Sequence, residues 1–385
     1  MRFLASRKLA VSLVAILILL SILGTIIPQE SLYPRDDFQK WQTEHPLLSH
    51  LSISLGLTNL YTSSGYIAIL SMLFLSLSVC IYKRFPYIFR DRGEKVRYGL
   101  LGSLIFHFSF LIILAGAIVS TWTRFEGMII LTEGQPFKGY PDEYIAVQRR
   151  PLFVSDPLGF QLMLQKFKPF YGTQPKYVSE VLIGDRGNKT HETIRDFHAL
   201  SYKGYTFYQK DHGFSPSFVL KDHWGRVIFQ SFVAFKSHKE AEEVRYEDYF
   251  RIPGTGLEIE GRLYPDMVIN DGKVRSKSAL PNNPVIDIKI KEKEKEIFRG
   301  IVKLGQDIKL TNFSLSFNDL RYWSSFRVVK DPGIPVIYAG FGTGVFGLFL
   351  RLLSIRMGVS EDGVVIARSE ATKQSRLEQA EYGKR

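Results

Sequence analysis

The sequence predicts an integral membrane protein: four transmembrane α-helices, with a large β-rich, sandwich-like extracytoplasmic domain between helices three and four. Three observations carry this reading. Four apolar runs of about 18 to 24 residues are each long enough to cross a hydrocarbon core of about 30 Å. Between the third and fourth runs the apolar period changes from helical to alternating. The densest positive charge lies in short segments beside the runs, which is the positive-inside pattern of membrane topology.

The elements follow in chain order. Met1–Lys8 is a basic head, and residues 9–27 form the first span. The run is longer than the ~7–15 residues of a signal-peptide core and lacks an A-x-A-type cleavage site, so it reads as retained rather than cleaved. Pro28 marks its outer end. Gln29–Ser63 is a polar connector with Trp41, His45 and His50. Within it Leu48, Leu51, Leu55 and Leu57 form one helical face, which lies on the membrane surface or against neighbouring spans. The second span covers 64–82, with Cys80 near its end. The basic loop Lys83–Arg97 follows and faces the cytoplasm, and residues 99–120 return outward as the third span. Residues 1–122 therefore form a membrane region.

Residues 123–333 change character. MIILTEG, FQLMLQKF, YVSEVLIGD, YTFYQKD, SFVLKDH, RVIFQSFVAF, LEIEGRLY, VIDIKIKE and FSLSFND are short, rich in β-branched and aromatic residues, and separated by Gly, Pro, Asn and Asp. This is the spacing of an extracytoplasmic β-sandwich or barrel-like domain. The charged run 289–296 reads as a solvated strand and turn, and no internal repeat is present. Residues 334–356 form the fourth span, in which Gly340 with Gly344, and Thr343 with Gly347, provide a small-residue face for close helix packing. Residues 357–385 are a polar, non-periodic tail, expected to be cytoplasmic and disordered. Both termini then lie inside and the large domain outside.

Composition narrows the function classes. The net charge is +12, but residues 83–98 alone hold +4 and residues 123–333, by far the longest stretch, only +5. Charge concentrated beside apolar spans argues against a nucleic-acid partner. A single cysteine, Cys80, can form neither an intramolecular disulfide nor a CxxC redox pair; it reads as a small packing residue at a span end.

One residue draws chemical attention. Gly99–Trp122 holds no acid, lysine or arginine and one ionisable side chain, His107. At ~1.5 Å per residue it sits roughly 12 Å into the core, on the cytoplasmic side of centre, with Ser103 one turn earlier on the same face. A histidine there either hydrogen-bonds across helices, relays a proton or ligates haem iron. The relay lacks companions, since the spans hold no other ionisable group well inside. A haem held between two membrane histidines needs its second ligand from elsewhere, because this chain has only one. His45 and His50 lie near the outer surface. His191, His198, His212, His223 and His238 have no metal-ligand spacing and read as ordinary surface residues. Asn188 and Asn312 open glycosylation triplets, a common chance match. There is no phosphate loop, nucleophile motif or HExxH, so no catalytic set emerges.

Several local signatures occur in a characteristic order. They are GTIIPQ (24–29), YTSSGY (61–66), SLSVC followed by Lys83 and Arg84, GLLGSLIFHFSFLIILAGA (99–117), YKGYTFYQ (202–209) and KDPGIPVIYAGF (330–341). In this order, over about residues 1–355, the chain resembles the ResB (CcsB) family of system II cytochrome c biogenesis. The resemblance implies a non-catalytic subunit of a cytochrome c haem lyase complex in the bacterial cytoplasmic (inner) membrane. Its partners would be a multi-span membrane protein of the ResC (CcsA) type, apocytochrome c and thiol reductant proteins. The cofactor implied is haem b, transiently bound or transported and shared with the ResC-type partner, with His107 as an axial ligand to its iron. The β-rich domain would bind or position apocytochrome c. The tail beyond about Met357 departs from the family pattern. The rival reading, from a different class, is a membrane-tethered scaffold or sensor that binds no cofactor, with His107 structural.

Overall fold

Each of the four apolar runs is a helix in the computed structural model, which describes residues 6–30, 35–88, 94–149, 158–170, 176–240, 243–270 and 273–356. The helices are α1 (Arg7–Ile26), α2 (Arg35–Glu44), α3 (Pro46–Ser54), α4 (Ser64–Arg84), α5 (Glu94–Thr123) and α6 (Gly333–Arg356). Of these α1, α4, α5 and α6 are long and apolar enough to cross a membrane. α5 begins five residues earlier than its apolar stretch, because helix propensity extends through Glu and Lys where apolarity does not. The tail 357–385 and residues 89–93 of the basic loop lie outside the described residues. The chain divides into two units, 1–121 with 332–385 and 122–331, each considered by itself.

In the helical unit, sequence chemistry fixes the joints. Ser63 caps α4, its hydroxyl accepting from the Tyr66 N–H at 3.2 Å, as a serine before a helix does. Tyr61 lies against Gly24 of α1, where an added Cβ would come within 2.7 Å of the phenol ring, and its hydroxyl donates to the Ser21 carbonyl. Gln29 is buried; its amide donates to the carbonyls of Ile27 and Leu57 at 2.9 Å, and its oxygen accepts from the Leu60 N–H at 3.0 Å. GTIIPQ and YTSSGY are thus two sides of one joint. On α3 the leucines point away from the unit: Leu48 and Leu51 are exposed, while Ser49 and Ser52 are buried. The small serines let α3 approach its neighbours and leave the leucine stripe outward, so that face does not pack on adjacent spans.

α5 and α6 meet through small residues on both helices. An added Cβ at Gly102 would lie 2.6 Å from the Arg351 nitrogen, at Gly347 2.6 Å from the Phe106 nitrogen, and at Gly116 2.9 Å from the Ile337 nitrogen. Such contacts allow antiparallel backbones to approach closely where water gives no hydrophobic drive. The face expected on α6 is present at Gly340, Gly344 and Gly347, whereas the Thr343 hydroxyl bonds to its own helix at the Ala339 carbonyl.

The second unit is built from β-strands, with one short 3-10 turn at Pro141–Glu143 among the described residues. Its strands begin with β1 (Phe125–Thr132), β2 (Pro136–Phe137), β3 (Ala146–Arg149), β4 (Gln161–Phe170), β5 (Lys176–Asp185) and β6 (Asn188–Arg195). They continue with β7 (Leu200–Tyr202), β8 (Tyr205–Asp222), β9 (Val227–Phe232), β10 (Lys236–Glu240), β11 (Glu243–Ile252) and β12 (Leu257–Tyr264). The last are β13 (Met267–Asn270), β14 (Lys273–Ser276), β15 (Val285–Glu292), β16 (Lys295–Lys303), β17 (Asp307–Lys309) and β18 (Phe313–Lys330). A central sheet runs β3-β1-β18-β8-β7, with β9 beside β8 and β17 beside β18. A second sheet is β2-β4-β5-β6, a third is β10-β11-β12-β15-β16, and β13-β14 is a separate hairpin.

The sandwich has two cores rather than one. β8 and β18 pair over eighteen residues each, about 60 Å at the usual rise, and one ordinary partner sheet is too short to cover them. Phe207, Phe326 and Val328 pack with Leu162, Val181 and Ile183 of the second sheet. Further along, Phe214, Phe218 and Phe317 pack with Ile259, Ile286 and Ile288 of the third. Register shifts between Phe317 and Asp319, and between Ser324 and Phe326, change the parity of the apolar positions along the pair. β8 was expected as two strands, broken at Gly213 and Pro216. It is continuous because Gly213 leaves room for the Trp323 ring across the ladder, and the Pro216 carbonyl still accepts from Val233. The charged run 289–296 is, as its sequence indicates, strand, two-residue turn and strand, with Lys293 and Glu294 at positive φ.

Candidate functional site

His107 lies on α5, half-buried, at the junction of two cavities within the helical unit. The first, about 820 Å³, is apolar: α1 contributes Val11, Val14 and Ile18, α4 Leu73 and Leu77, and α5 Phe110. The second, about 330 Å³, is more polar and includes Ser76, Cys80, Arg84, Ser103 and Arg351. Ala10, Val11, Leu77 and His107 line both. Each volume falls in the range of about 300–1,000 Å³ usual for ligand and cofactor sites.

Hydrogen bonding orients the imidazole. His107 Nδ1 lies 2.6 Å from the Ser103 carbonyl oxygen one turn earlier on α5. A carbonyl only accepts, so Nδ1 carries a proton, and in the neutral ring Nε2 is then the nitrogen with the lone pair. This is the arrangement of a histidine ligand held by a backbone carbonyl on its far side. The Ser103 hydroxyl accepts from Arg84 Nη1 at 2.9 Å, which ties the end of α4 to the same turn of α5. Phe106 meets the imidazole edge-on, with ring centroids 6.0 Å apart.

These residues fit one face of a haem site. They provide one imidazole nitrogen, an apolar wall beside it and cationic groups on the other side. Among the described residues no three His, Cys, Asp or Glu side chains are grouped to hold a metal ion. His45 and His50 are exposed at the start and on the surface of α3 and line neither cavity. The structure adds Arg84, Arg351 and Cys80 to the surroundings of His107. In the sequence Arg84 reads as part of the basic loop's topology signal and Cys80 as a packing residue; the place of all three around one cavity depends on three helices meeting.

In the β unit His191 is exposed and bonds Gln165 at 2.8 Å, and His198 and His223 are exposed. His212 departs from the surface reading. It is half-buried, stacked on Phe167 at 4.9 Å and against Tyr177 at 4.2 Å, and burial lowers its pKa against the opposing pull of Asp211 and Asp196. Cross-strand aromatic neighbours, contributed by β4 and β5, are invisible to ligand-spacing arguments. The YKGYTFYQ signature is structural. Lys203 and Gly204 form the positive-φ turn between β7 and β8, and Tyr202 donates to Asp185 at 2.8 Å. Gln209 bridges Ser179 and Ser324. Tyr205 lies opposite Lys330, whose ammonium sits 4.6 Å over its ring, and the neighbouring Asp331 pairs with Arg124 at 3.6 Å.

The sequence profile of the ResB-like family matches residues 7–96 and 92–359. Among characterised relatives, the cytochrome c biogenesis protein CcsB of Picosynechococcus sp. is 23% identical, aligned over 92% of this chain and 83% of its own length. CcsB of Gloeobacter violaceus is 24% identical over 91% and 82%. The cytochrome c biogenesis protein Ccs1 of Guillardia theta is 22% identical over 85% and 84%.

Proposed function

The chain belongs to the ResB-like family, and from that premise we propose that it is a membrane subunit of the cytochrome c maturation machinery. In this reading it sits in the bacterial cytoplasmic membrane with both termini in the cytoplasm and the β unit outside. Haem b is its cargo, shared with a multi-span partner of the ResC (CcsA) type. His107 supplies one axial ligand and the partner the other. Haem held there would be presented, with its iron reduced, to the CxxCH thiols of apocytochrome c, and thiol reductant proteins outside the membrane would keep those thiols reduced.

This chain's own residues bind and orient. The Ser103 carbonyl orients the His107 ring, and Val11, Val14 and Phe110 form an apolar wall beside it. The β unit holds or positions apocytochrome c. The chain is a non-catalytic subunit of the lyase complex: the proposal assigns it no acid, base or nucleophile for thioether formation. The observation that carries the reading is the Nδ1–H bond of His107 to a backbone carbonyl, which leaves Nε2 as a donor at the mouth of an apolar cavity.

Deletion of the gene tests it, scored by covalently bound haem in membrane cytochromes. Deletion is expected to abolish c-type cytochromes and the wild-type chain to restore them. His107→Ala is expected to lower restoration about tenfold or more. Unchanged c-type cytochromes in the deletion strain would overturn the assignment.

A further inference from the structure

His107 stands between an apolar cavity and a polar one, and the polar one is cationic. Arg84 and Arg351 line it together with Ser76, Cys80 and Ser103. No carboxylate among the described residues pairs with either arginine, and Arg84 is half-buried. A guanidinium beside a membrane cavity is costly unless an anion or a set of acceptors faces it. Its planar fork of donors matches a carboxylate better than any other common group.

The spacing is informative. Arg84 bonds the hydroxyl of Ser103 while His107 bonds the carbonyl of the same residue, so guanidinium and imidazole are held beside one turn of α5. A ligand suited to both cavities is amphipathic. It has a flat apolar body against Val14, Ile18 and Phe110, a metal at its centre near His107, and carboxylates at the edge that faces the arginines.

We propose that Arg84 and Arg351 receive the propionate carboxylates of the haem, so that the haem lies with its propionate edge toward the C-terminal end of α4. The inference rests on His107 as an axial ligand and adds the orientation of the porphyrin and its anion site. The arginines are positioning residues: they hold the edge of the ring and do not touch the iron.

The test is a visible-absorption titration of the full-length chain, purified in detergent with its membrane partner. The two probes are haem and haem dimethyl ester, whose propionates carry no charge. Wild type is expected to bind haem at least about tenfold more tightly than the ester, the size of one charge-assisted hydrogen bond. Arg84→Gln and Arg351→Gln are each expected to weaken haem binding about tenfold and leave ester binding unchanged. The unchanged ester affinity also reports that the variants are folded.

Equal loss for both probes, or no loss for haem, would overturn the proposal. The second result would assign the arginines to lipid phosphate at the membrane surface. Failure of the His107 assignment looks different: His107→Ala would then keep the wild-type ligand-field spectrum, whatever the preference between the two probes.

Discussion

His107 and His212 are both half-buried, yet they have opposite surroundings. His107 is held by a carbonyl and keeps one nitrogen free for a partner, whereas His212 is packed between aromatic rings. Burial lowers the His212 pKa in the folded chain, while the unfolded chain protonates near the usual value of about 6.5. Above that value both states are neutral and the residue has no pH-dependent effect. As pH falls through it the unfolded state gains the proton first, so stability drops until the lower folded pKa is passed. A His212→Phe variant should therefore lose less thermal stability than wild type on going from about pH 7 to pH 5. An identical loss in both would show that the ring is not desolvated. The sequence marked His107 because an ionisable residue stands out in an apolar run. It could not mark His212, whose neighbours Phe167 and Tyr177 lie 45 and 35 positions away.

At the scale of elements, the α5–α6 contact depends on small residues at intervals of seven: Gly102, Ser109 and Gly116 on one helix, Gly333, Gly340 and Gly347 on the other. Gly347→Leu places side-chain atoms where the Phe106 backbone now lies, and Gly102→Leu does the same against Arg351. Either change is expected to lower the thermal midpoint in detergent by an amount equivalent to about 1–3 kcal/mol, the usual cost of overpacking. Gly342→Leu, whose Cβ position is open, should leave the midpoint unchanged. Equal effects at Gly347 and Gly342 would contradict the packing described. Half of this interface was legible, since the α6 glycines stand out in sequence. Its other half was hidden among the Leu, Ile and Phe of α5, although the seven-residue spacing was there to be counted. β8 was misread for a related reason: Gly213 and Pro216 usually punctuate strands, and only the paired Trp323 explains why they do not here.

Across the molecule, the signatures that carried the family resemblance prove to be contact partners. GTIIPQ meets YTSSGY through Gly24–Tyr61, and its Gln29 bonds Leu60 just before that motif. The Lys83-Arg84 end of α4 meets α5 through Ser103, and YKGYTFYQ meets KDP through Tyr205–Lys330. The four helices and the β character of residues 123–333 were legible because apolar length and alternation are local properties. The two cores were not, because they depend on the register of β8 against β18, a hundred residues apart in the chain. The proposed role of His107 as an axial haem ligand is tested most directly by the visible spectrum of the reduced chain purified with its membrane partner, for wild type and His107→Ala. The expected result is a b-type haem band in wild type, lost in the variant and partly restored by added imidazole. A band equally strong in both would contradict it and return His107 to helix packing.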